Sequence, residues 1–139
     1  MLSGHLALIA AALFTGAAFY IHVAEQPARL LLDDQALLTE WKLAYKRGTL
    51  MQATLAIVGF LLGLFAWWQT GVLSWLVGGM LMFVNWPFTL IVIMPTNNRL
   101  MATEAAGPET RSMIVKWAGL HAVRTALGIA AMILFLTSL

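Results

Sequence analysis

The chain has no cysteine, which removes disulfides, thiolate metal sites and cysteine nucleophiles from consideration. Charge is almost as scarce. Only 10% of the 139 residues are charged and 61% are hydrophobic, whereas an average soluble domain carries about 25% charged residues. An ordinary soluble domain and a disordered chain are both excluded. The net charge of +2 is small, and the basic residues gather in two stretches rather than along a stripe, so nucleic acid is not an expected partner. The length suits a single unit over residues 1–139.

The residues that are present form four apolar runs, at about 3–24, 49–68, 72–94 and 117–138. Each is long enough to cross a hydrocarbon core of ~30 Å at ~1.5 Å per residue. No Lys or Arg precedes the first run, and its apolar part exceeds a signal peptide's usual ~7–15 residues, so it reads as a retained span. Between the first two runs, Leu37, Leu38, Trp41, Ala44 and Tyr45 recur at helical spacing with charges elsewhere. Asp34 is a suitable start and Gly48 a suitable stop. This segment is expected to be an amphipathic helix in the membrane interface, with Trp41 and Tyr45 at headgroup level, or else a cap packed on the bundle. The turn at Gln69-Thr70-Gly71 makes spans two and three an antiparallel hairpin. The fold class expected is an all-α membrane protein, a four-helix up-down bundle with an interfacial helix after span one. Arg29, Lys42, Lys46, Arg47, Arg99, Arg111 and Lys116 all lie in the 25–48 and 95–116 loops. The positive-inside rule then places both loops in the cytoplasm and both termini outside, and the cell inner membrane is the expected location.

The spans contain residues that lipid does not solvate. Asn85-Trp86-Pro87-Phe88-Thr89 interrupts the third span with an amide, an indole and a proline. Pro87 removes the backbone bond to Phe83, so a distortion is predicted there. In the fourth span Trp117, His121, Arg124 and Gly128 draw one stripe. His22, Glu25 and Gln26 close the first span at i, i+3 and i+4. With up-down topology these groups fall at the loop end, capped by Met94-Pro95-Thr96-Asn97. Arg124 lies roughly 10 Å in from Trp117 along the helix, deep enough to want a partner, and Glu25 is the best-placed carboxylate. The plainer readings are a snorkelling Arg124 and histidines or Asn85 that merely bridge helices.

The wording Asn85-Trp86-Pro87-Phe88-Thr89, then Met94-Pro95-Thr96-Asn97, then Trp117-x3-His121-x2-Arg124-Thr125 resembles the anthrone-oxygenase-like membrane family, as does His22 with Glu25 and Pro27-Ala28-Arg29. The resemblance implies the bundle fold and oxygen chemistry on a lipophilic phenolic, anthrone- or quinone-like small molecule drawn from the lipid bilayer. His22, His121 and Arg124 are then the candidate catalytic residues, with a histidine as base and Arg124 at the developing oxyanion. Glu25, Asn85, Trp86, Thr89, Asn97 and Trp117 are the candidate substrate contacts. Such chemistry can run with no cofactor. The alternatives are a metal or haem held by His22 and His121, with Glu25 as a further ligand, and a non-enzymatic lipid- or quinone-binding accessory protein. Either allows a homo-oligomer.

Overall fold

In the computed structural model, which describes residues 1–139, the four apolar runs become four long helices: α1 Leu2–Arg29, α2 Asp34–Thr70, α3 Leu73–Ala102 and α4 Pro108–Thr137. All four are long and apolar enough to cross a membrane, and there is no strand. Local chemistry sets their ends. Asp33, one residue before the expected Asp34, caps α2 by accepting the Ala36 N–H at 2.9 Å. Gly71 ends α2 in the left-handed region, at φ 71°, where a side chain would be strained. Pro108 opens α4 at a position where its missing N–H costs nothing.

Each helix packs on the next, and α4 returns to α1. Contacts between the ends fix the antiparallel order. Ser3 donates to Gln69 at 2.5 Å, and the hydroxyls of Ser74 and Ser138 meet at 2.5 Å. At the opposite end Arg111 pairs with Asp34 at 2.5 Å and donates to the Leu30 carbonyl at 2.9 Å. The core falls into two parts. One, around Ala7, Ala11, Phe14, Met82 and Phe135, fills the bundle. The other, around Leu37, Trp41, Leu100, Ile114 and Trp117, fills its loop end. α2 and α3 approach closely because a Cβ on Gly63 would lie 3.1 Å from the Gly79 Cα, the close contact that small residues permit.

The chain departs from the sequence expectations in two places. First, there is no separate interfacial helix, because α2 runs unbroken through Gly48. At 37 residues it is roughly 55 Å long, well beyond a ~30 Å hydrocarbon core. Leu37, Leu38 and Trp41 are fully buried against α3 and α4. A glycine within a helix costs only about 1 kcal/mol, and burying those side chains outweighs it. The packed-cap alternative is the one the chain adopts.

Second, the irregularity in α3 is not at Pro87. The helix stays α-helical through Phe88 and widens into a π-helical turn at Thr89–Ile93. A matching turn occupies Ile21–Glu25 in α1. Each ends two residues before a proline, Pro27 and Pro95. A proline lacks the N–H for the preceding turn and clashes with its carbonyl, and the wider turn displaces that carbonyl. Pro95, not Pro87, is therefore the residue that marks the distortion.

Candidate active site

Where the apolar bundle meets its polar cap, the four helices enclose a cavity of about 290 Å³. Both π turns contribute to its wall, Ile21 and Glu25 from α1, Thr89 and Ile93 from α3. α2 contributes Trp41, Tyr45, Gly48, Thr49 and Gln52, and α4 contributes Trp117, His121 and Arg124. Much of this wall is apolar, so each polar group on it is poorly solvated and is informative.

His121 is buried, with 2% exposure. Its Nδ1 lies 3.3 Å from Nε2 of His22, and its ring sits 5.0 Å from that of Trp117. His22 is half-buried and stands behind His121, off the cavity wall. One imidazole must donate to the other. With His121 donating from Nδ1, its Nε2 is left free to take a proton. Rings in hydrogen-bond contact leave no room for a haem between them. No third His, Cys, Asp or Glu is placed to complete a metal site with them.

Arg124 does not meet Glu25. It has no carboxylate partner, its Nε is unpaired, and its guanidinium carbon lies 5.5 Å from the centre of the Phe14 ring. Glu25 instead pairs with Arg29, four residues along the same helix. Glu40 reaches Arg29 from α2 at 2.9 Å. Arg29 is 3% exposed and lies 5.9 Å over the Trp117 ring. It is thus a buried cation on the cavity wall, held by two carboxylates. Glu40 lies on the part of α2 beyond the apolar run. Burial raises its carboxyl above the usual range, with Arg29 opposing and Glu25 reinforcing the rise.

The remaining candidates divide between two spaces. Thr89, Asn97 and Trp117 line the main cavity. Asn85 and Trp86 line only an annex of about 150 Å³ between α2 and α3, which shares Thr49, Thr89 and Arg124 with the cavity. Asn85 spends its N–H donors on the carbonyls of Leu81 and Met82, at 3.1 and 3.3 Å. Trp86 donates to the Ala53 carbonyl at 3.2 Å, bridging the helices. Asn85 Oδ1, Thr89 Oγ1 and Asn97 Oδ1 are buried with no partner. So is Oε1 of Gln52, a wall residue that the sequence reading missed along with Arg29 and Tyr45. Such orphaned groups normally find a partner.

The fold is that of an integral membrane helical bundle with an internal, partly polar cavity. The chain belongs to the anthrone oxygenase family, whose sequence model matches residues 41–134. It is similar to the anthrone oxygenase of Claviceps purpurea (strain 20.1), at 26% identity over 153 residues that cover 97% of this chain and 87% of that protein. No solved structure matches it. The matched segment includes His121 and Arg124 and begins after the α1 residues His22, Glu25 and Arg29.

Proposed function

We propose that this protein is a membrane-embedded oxygenase that binds a flat, lipophilic phenol of anthrone or quinone type in the cavity and oxidises it with dioxygen. The observation that carries the reading is Arg124, a buried cation with no carboxylate partner on the cavity wall. A phenolate or enolate oxygen supplies the missing charge. Membership of the family and the name of the Claviceps purpurea relative support the reaction class.

In the proposed reaction His121 takes one proton from the ring methylene at Nε2, and His22 accepts a hydrogen bond from the imidazolium at Nδ1. The electrons of the broken C–H bond delocalise onto the ring oxygen, opposite Arg124. Dioxygen adds at the carbanion carbon, and the imidazolium protonates the terminal oxygen to give a hydroperoxide. Loss of the second C–H proton and cleavage of the O–O bond release water and leave a ketone. The balance is methylene plus dioxygen to carbonyl plus water. In the proposed orientation the cavity opens near the cytoplasmic side.

The test is dioxygen uptake by the purified protein in lipid nanodiscs with a hydroxylated anthrone, against the uncatalysed oxidation. The expected result is acceleration, with one atom of labelled dioxygen in the new carbonyl. A rate equal to that of empty nanodiscs refutes the proposal.

A further inference from the structure

The cavity is not closed on all sides. Tyr20 of α1 is 58% exposed and Met51 of α2 is 48% exposed, and both line it, so its mouth lies on the α1–α2 seam. A second, shallow space continues along that seam between Leu13, Gly16 and Ala17 of α1 and Leu50, Met51 and Thr54 of α2. Ala17 and Met51 belong to both walls, so the groove adjoins the cavity at its mouth. From Ala17 the groove reaches Ala12, roughly 8 Å farther towards the bundle centre at helical rise.

The glycines along the seam point the same way. Neither Gly16 nor Gly48 has a positive φ, and a Cβ on either would meet nothing within 4 Å. Gly63, Gly78, Gly79 and Gly128 lie against neighbours that a Cβ would crowd. Gly16 and Gly48 have no such reason, yet each weakens its helix relative to alanine. What they provide is open space, Gly48 on the cavity wall and Gly16 in the groove.

We infer that the substrate is a head-and-tail molecule: a phenolic head in the cavity, and a hydrocarbon chain lying in the α1–α2 groove, by which it enters sideways from the bilayer. The inference rests on the proposed function for the head. The groove's position at the cavity mouth, with Ala17 and Met51 in both walls, is what favours the substrate's own chain over an acyl chain of a bilayer lipid. A bilayer lipid would fill the groove without any need for an opening into a polar cavity.

The experiment compares two probes in nanodiscs, a hydroxylated anthrone and the same anthrone bearing a ten-carbon alkyl chain. Binding is read by quenching of Trp41 and Trp117, which line the cavity, so the readout needs no turnover. Gly16→Phe and Thr54→Phe fill the groove from either side, and neither residue touches the cavity. The tailed probe is expected to weaken about tenfold in both variants, with the tail-free probe unchanged. If both probes bind wild type and variants alike, the groove holds only bilayer lipid and the inference is overturned while the head site stands. A loss of both probes in the variants also overturns it, because the seam is then structural. If neither probe quenches the wild type, the head site itself is wrong and the inference falls with it.

Discussion

Replacing Arg124 by methionine should separate stability from function. Arg124 is 8% exposed, and taking a charge of that size out of water costs several kcal/mol even after relaxation. Its visible compensation is the Phe14 ring at 5.5 Å, and a desolvated cation–π contact contributes about 2 kcal/mol. With no carboxylate left stranded by the change, Arg124→Met should leave the ligand-free protein as stable as wild type or more so. Even for buried ion pairs, apolar replacement is often neutral or gains about 1–4 kcal/mol. Turnover should fall about 100- to 1,000-fold, the usual cost of removing an oxyanion partner. The assays are thermal unfolding in detergent, with and without a hydroxylated anthrone, and dioxygen uptake. Wild type should gain melting temperature from the ligand, and the variant should not. A variant that melts several degrees lower without ligand and retains its activity would refute the reasoning, because Arg124 would then be a structural cation.

Arg29 should behave in the opposite way. Arg29→Met strands Glu25 and Glu40, whose side chains keep 22% and 35% exposure, so destabilisation near the lower end of the ~3–5 kcal/mol range is expected in chemical unfolding. Arg99→Met removes an ion pair exposed to 66% and 74% and should cost ~0–1 kcal/mol. His121→Gln should lower turnover about 100- to 10,000-fold with little change in anthrone binding. His22→Gln should cost less, since His22 only receives the imidazolium hydrogen bond, and equal losses would make His22 a base in its own right. Gly79→Ala places a Cβ 3.2 Å from the Phe60 carbonyl oxygen and should cost about 1–3 kcal/mol in the melting assay, whereas Gly48→Ala meets open space and should gain up to ~1 kcal/mol. Because the chain has no cysteine, Thr70→Cys and Gly107→Cys can be labelled singly. Thr70→Cys should react only from outside the cell and Gly107→Cys only from the cytoplasm, and the reverse pattern would invert the proposed orientation.

The four spans and their antiparallel order were legible in the sequence, because apolar length and short connections leave a chain in lipid few alternatives. The gathering of polar groups at one end was legible for a related reason: a span carries such residues only where something in the bundle receives them. Their partners were not. Partner choice depends on how each helix is rotated, and a π turn adds a residue to one turn and so shifts the face of everything beyond it. Across the turn at Ile21–Glu25, spacing places His22, Glu25 and Gln26 on one face. The structure sends His22 to His121, Glu25 to Arg29, and Gln26 to the Ile114 carbonyl at 3.3 Å.

Where no π turn intervenes, spacing was a sound guide. Asn85 and Thr89, one turn apart and reaching only the first residue of the π turn, do line the same annex. Trp41, Tyr45, Gly48 and Gln52, spaced 4, 3 and 4, form one stripe on α2 that faces the cavity. That stripe is invisible while Gly48 is taken as a helix end, since it then divides a wall between an interfacial helix and a span. Glycine is ambiguous in sequence because both a helix stop and a helical position that leaves open space favour it. Only the burial of Leu37, Leu38 and Trp41 against α3 and α4 decides between them here. Gly48 leaves open space on the cavity wall, so the residue that hid the wall in the sequence is itself part of that wall.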